Sequence, residues 1–107
     1  MELKLARWED RVVTFTVTMN SEVLDLTNFS AFFYVKRKIT NADSLITKEG
    51  NITNEEAGEV EITIDSVDTD ITPGHYQYEL WVVDDSDNKY HTGLGDFIIT
   101  DILELPN

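Results

Sequence analysis

Apolar side chains return at every second position along most of this chain, which is the period of half-buried β-strands. Leu3 and Leu5 alternate with charged residues. Val13, Phe15 and Val17 alternate with Thr14, Thr16 and Thr18, giving one apolar and one threonine face. Asn20-Ser21-Glu22 reads as a turn, and Asp25-Leu26-Thr27-Asn28 leads into a strand with Ala31, Phe33 and Val35 on one face. Ser44 to Glu49 is a weaker strand around Leu45 and Ile46, and Gly50 and Asn54–Gly58 read as turn material. Val60, Ile62 and Ile64 alternate with acids and Thr63. The pattern from Pro73 to Thr100 predicts three successive antiparallel strands. Tyr76, Tyr78, Leu80 and Val82 face inward in the first, and Asp84–Asn88 reverses the chain. Tyr90 to Leu94 returns, Gly93 and Gly95 break the run, and Phe97 and Ile99 end it. Val67 and Ile71, four apart, predict one short helical turn plugging an end of the fold. A sustained helical stripe is found nowhere.

Many short strands with turn signals every 8–12 residues suggest a sandwich or barrel. The expected fold is all-β: one domain spanning residues 1–107, an immunoglobulin-like β-sandwich of seven to eight antiparallel strands. Its core would draw on Val13, Phe15, Val17, Phe33, Val35, Ile62, Ile64, Tyr76, Leu80, Phe97 and Ile99. The Cys and Trp hallmarks of antibody domains are missing, so the expectation concerns architecture alone.

Composition narrows the chemistry. A chain of 107 residues forms one core without staples, burying roughly 60–70% of its unfolded surface. With no cysteine, disulfides and thiolate metal sites are excluded. The opening MELKLARWED carries charges where a signal peptide needs an apolar segment. Apolar runs fall well short of the about 20 residues of a membrane helix. The reading is a soluble chain made in the cytosol. Against 21 acidic residues stand 8 basic ones, a net charge of −13. Nucleic acid and anionic membranes are therefore unexpected partners, since both need a basic footprint. The cationic run Lys36-Arg37-Lys38 reads as a solvated strand end. The acidity favours solubility and steers the chain toward basic partner surfaces.

Candidate chemical groups are few. His75 and His91 flank the last hairpin, where adjacent strands would let them form a two-His cation site; half-exposed strand positions are the plainer reading. No nucleophile motif marks a Ser-His-Asp triad. Asp84, Asp85 and Asp87 crowd one turn and form a weak calcium candidate. Position five of such a loop is Lys89, however, and Asp and Asn suit a hairpin turn for local reasons. Asp65, Asp68 and Asp70 read likewise. Asn28-Phe29-Ser30 and Asn51-Ile52-Thr53 match the glycosylation acceptor pattern, by chance in a chain without a secretion signal. The expectation is no enzyme, catalytic residue, cofactor or metal.

The outward faces carry more. If Ala31, Phe33 and Val35 point in, Phe32 and Tyr34 point out; if Leu80 and Val82 point in, Trp81 and Val83 point out. On neighbouring strands, Phe32, Tyr34, Trp81 and Val83 would form one exposed apolar patch, the expected partner interface. Two other readings stay open: loops or the segment around Trp8 cover the patch, or its aromatic rings form a platform for sugars.

A family resemblance rests on the same landmarks. They run from Asp25-Leu26-Thr27 through Val35-Lys36 to Gly58-Glu59-Val60 and Pro73-Gly74-x-Tyr76-x-Tyr78-Glu79-Leu80. Asp84, Tyr90 and Gly95-Asp96-Phe97-x-Ile99 follow. This pattern resembles the immunoglobulin-like N-terminal domain of phage baseplate upper proteins and related small virion proteins, over nearly the whole chain. The resemblance implies a non-enzymatic bacteriophage or prophage virion structural protein. It would be made in the host cytoplasm and located in the virion, as a tail-baseplate adaptor or a capsid-decorating protein. Its partners would be other virion proteins, with multiple copies or a homo-oligomer in the particle. Two departures stand out. Asn28 occupies a place where the family commonly has Gly, and the chain stops at Asn107 where larger domains would follow, as a fragment or as a small domain working alone. The rival expectation is a carbohydrate-binding module assisting host-surface adsorption, with calcium at the Asp84–Asp87 turn.

Overall fold

The computed structural model describes residues 2–38 and 44–102; Asn107, the last residue of the expected domain, lies outside them. These residues form nine strands: β1 (Glu2–Ala6), β2 (Arg11–Thr16), β3 (Thr18–Met19), β4 (Glu22–Val23), β5 (Ser30–Lys36), β6 (Ile46–Asn54), β7 (Glu59–Ile64), β8 (Gly74–Val83) and β9 (Lys89–Thr100). Seven of them make one sheet in the order β1-β9-β8-β5-β6-β7-β2, and β3 and β4 form a separate hairpin. The all-β class is as expected. The sheet, however, is mixed, because β1 runs parallel to β9, with Glu2 opposite Asp96 and Ala6 opposite Thr100. It also curls on itself: the Arg11 guanidinium donates to the Lys4 carbonyl at 2.9 Å, joining the first and last strands in the order.

Strand β6 is the corner of this curl. Its first half pairs with β5, from Val35–Ile46 to Ala31–Gly50. From Asn51 onward it pairs with β7. Gly50 is therefore strand rather than turn. A Cβ there would lie 2.7 Å from Val60 Cγ1 and 3.0 Å from Ala31 Cβ, so glycine lets β5 and β7 close on the corner of β6. The Gly93 and Gly95 break is corrected for a similar reason. Strand β9 runs unbroken for 12 residues, and Tyr78 lies opposite Gly95. Gly93 sits against Leu80, whose Cβ would be 3.1 Å from an added one. The irregularity is taken up between Leu80 and Trp81 by a bulge at Thr92, whose hydroxyl donates to the Leu80 carbonyl.

All the expected core residues except Phe15, which is half-buried, are buried. Leu3, Leu5, Leu26, Ala31, Ile46, Val60, Tyr78 and Val82 complete the core. Aromatic rings fill its middle: Phe33 and Tyr78 stack with centroids 5.6 Å apart, and Phe15 tilts against both at 5.9 and 5.7 Å. Burial first, and the Asp96 charge second, push the Tyr78 hydroxyl above its ordinary pKa, so it stays neutral in the core.

Three corners show how polar residues close the ends. At the first, Leu26 is fully buried while Asp25 accepts from the Thr27 amide at 3.0 Å and the Thr27 hydroxyl at 2.6 Å. The Thr27 hydroxyl, then its amide, hold the Asp25 carboxyl below its ordinary pKa. Asn28 supplies the left-handed conformation of this turn (φ 65°), which Asn tolerates better than most residues. At the second, the expected plug holds at Ile71, which packs half-buried against the core, and is corrected at Val67. Val67 is 78% exposed, and Thr69 is the buried residue, its hydroxyl 3.0 Å from the Glu9 carbonyl and 3.2 Å from that of Ser66. The turn places its polar threonine inward because those two carbonyls are there to receive it. At the third, the Tyr76 hydroxyl donates back to the Thr72 carbonyl, bracing the crossing from β7 to β8.

Candidate binding surface

Strands β8 and β5 are antiparallel neighbours, and their register sets the outer face. Phe32 lies opposite Trp81, Tyr34 opposite Glu79, and Ser30 opposite Val83. Strand β9 extends these rows on one side, with His91 opposite Trp81, Leu94 opposite Glu79 and Lys89 opposite Val83. Strand β6 extends them on the other, with Glu49 opposite Phe32 and Thr47 opposite Tyr34. Alternation of the pleat sends this set out and Phe33, Leu80 and Val82 in.

The structure thus brings Phe32, Tyr34, Trp81 and Val83 together, and with Lys89 they line a shallow groove of about 260 Å³. The four are half-buried rather than fully exposed, because each covers part of its neighbours. Trp81 is held on two sides. Its indole N–H donates to a Glu79 carboxylate oxygen at 3.1 Å. The His91 ring meets it edge-on, with centroids 4.8 Å apart. An indole held this way is pre-arranged, so a ligand on its face need not order it. Two contributors escaped the sequence reading. Lys89 follows the predicted Asp84–Asn88 turn and stands out only as position five of the calcium candidate, and Leu94, 51% exposed and opposite Glu79, ends the predicted returning strand between two glycines. The bulge at Thr92 shifts the phase of β9, and no simple alternation signals that.

Trp8 does not cover the groove. It follows Ala6, which pairs with Thr100, whereas Trp81 is level with His91. Nine residues of β9 separate the two levels, about 30 Å of strand. Trp8 instead packs beneath the Arg7 guanidinium, 4.5 Å from the ring centroid, and Arg7 also pairs with Asp70 at 3.1 Å.

The histidines are not brought together. His75 is level with Ile98 and His91 with Trp81, so six residues of β8 separate them, about 20 Å. At the calcium candidate, the carboxylate of Asp84 is engaged within its own turn. One oxygen accepts from the Ser86 and Asn88 amides at 3.0 and 2.9 Å, the other from the Asn88 side chain at 3.2 Å. The Asn88 amide is the main cause holding the Asp84 carboxyl below its ordinary pKa. Asp85 and Asp87 are exposed, and Lys89 pairs with Asp87 at 3.7 Å. Asp65 and Asp68 share Lys48, at 3.3 and 2.7 Å. Among the described residues no three His, Asp or Glu side chains gather closely enough to hold a metal ion, and no helix is long and apolar enough to cross a membrane. Comparison with family models and with curated proteins finds no match to this chain.

Proposed function

We propose that this chain is a non-enzymatic binding module of a bacteriophage or prophage particle, acting through the groove at Phe32, Tyr34, Trp81 and Val83. The observation that carries this reading is the aromatic row itself. Phe32 and Trp81 stand side by side on the outer face, half-buried, with Trp81 fixed by Glu79 and His91. Aromatic side chains held in this way are the usual anchors of protein interfaces. The architecture is read as an immunoglobulin-like sandwich. In this reading β1, β9, β8 and β5 form one layer, β7 and β2 the other, and β6 passes between them. The Tyr76 bond to Thr72 supports it, being the tyrosine corner expected where the chain crosses from one layer to the other. The location in the virion, in several copies beside other virion proteins, rests on the sequence resemblance.

The test is direct. Neighbouring genes encoding capsid, tail or baseplate proteins would support the particle assignment. Co-expression of their products with this chain should yield a complex that Trp81→Ala abolishes without unfolding the protein. A variant that binds as well as the unchanged protein would overturn the groove. A glycan array separates the rival: saturable glycan binding lost in the same variant would make this a carbohydrate-binding module.

A further inference from the structure

The chemistry around the groove specifies its occupant more narrowly, on the reading that the groove is a docking surface. We infer that it receives an arginine-bearing segment of a partner protein, with the guanidinium lying on Trp81 and paired with Glu79. Two observations point there. The first is charge. Glu79 and Glu49 border the aromatic row, Asp85 and Asp87 stand exposed at the hairpin end, and the whole chain carries −13. Lys89, the cation that lines the groove, is drawn to Asp87. A second copy of this chain would bring like charge against like charge, and an anionic ligand would meet the same repulsion.

The second observation is internal to the molecule. At Trp8 an indole and a carboxylate, that of Asp70, already hold an arginine between them. Arg7 lies 4.5 Å from the Trp8 ring centroid, and its Nε donates to Asp70 at 3.2 Å. Trp81 and Glu79 supply the same two parts, an indole and a carboxylate fixed beside it at 3.1 Å. The guanidinium is the complement of that pair, because it is planar enough to stack and carries N–H groups at its edge for the carboxylate.

The experiment follows the two indole N–H signals by NMR in the full chain, assigned with Trp81→Phe. The probe is a short Arg-Gly repeat peptide, compared with peptides carrying citrulline or glutamate in place of arginine. The arginine peptide should shift the Trp81 signal saturably. Citrulline, which keeps the plane and loses the charge, should bind at least tenfold more weakly, and glutamate not at all. Glu79→Gln should weaken the arginine peptide several-fold while leaving the fold's spectrum in place. Equal binding of the citrulline peptide, no effect of Glu79→Gln, or no shift at Trp81 would overturn the inference. If Trp81→Ala still abolishes the complex with neighbouring-gene products in that event, the docking surface stands and only its arginine occupant falls. If Trp81→Ala leaves that complex intact, the surface itself falls.

Discussion

The two faces of the β5–β8 pair are built from similar residues and do opposite work. On the inner face Phe33 sits opposite Leu80, both buried, with Tyr78 stacked on Phe33. One step along, on the outer face, Phe32 sits opposite Trp81, both half-buried. The inner aromatics are withdrawn almost wholly from water and packed against neighbours, so they carry stability. The outer aromatics keep solvent on one side, so much of their burial is still available to a partner. Position on the pleat decides the role, not the residue type.

The buried half of the β5–β8 pair should be the more sensitive to substitution. Phe33→Ala should cost about 3–5 kcal/mol, since it removes a ring packed against Phe15, Tyr78 and Phe97 and leaves a cavity. Urea denaturation would read this, and a loss under about 1 kcal/mol would mean that the core is not closed at that ring. Gly50→Ala comes next. The added methyl meets Val60 and Ala31 at the corner of β6, and overpacking of this kind costs about 1–3 kcal/mol by the same measurement. Trp81→Ala should cost about 1 kcal/mol or less of stability, yet lower partner affinity tenfold or more. Comparable losses of stability at Trp81 and Phe33 would erase the distinction between the faces.

The smallest effect is acid sensitivity. Asp25 and Asp84 have carboxyls held below their ordinary pKa by Thr27 and by Asn88 respectively. A depressed folded pKa means that the unfolded chain binds the proton first as pH falls. The stabilisation is therefore present at neutral pH and fades below about pH 4. Asp84→Asn should flatten the fall in urea midpoint between pH 5 and pH 3, by a modest amount because this turn is exposed. An unchanged slope would show that the turn's bonds do not favour the charged form.

Much of this was legible in the sequence, and the failures have physical causes. Alternation put Phe33 inside and Phe32 outside correctly, because side chains in a strand face opposite ways at every step. It also set Trp81 beside Phe32 once β5 and β8 were taken as neighbours. It failed at glycine. Gly50, Gly93 and Gly95 look like punctuation in the sequence, whereas Gly50 and Gly93 make room for Val60 and Leu80 across the sheet. A sequence window does not show that demand, because it comes from residues far along the chain. It failed likewise at Val67 and Thr69, where the distant Glu9 carbonyl and the turn's own Ser66 carbonyl recruit the threonine and leave the valine in solvent. Trp8 was out of reach for a related reason: its distance from the groove follows from the parallel pairing of β1 with β9.

That parallel pairing has a mechanical consequence. Tension between Glu2 and Thr100 acts at opposite ends of the same pair of strands, since Glu2 is level with Asp96 and Ala6 with Thr100. The load runs along β1 and β9, so their ladder is sheared and its bonds must yield together instead of opening one by one. Single-molecule stretching between these positions should meet a sharp resisting peak, and a pull applied across the strands should meet far less. A module built this way bears force best in line with its own backbone.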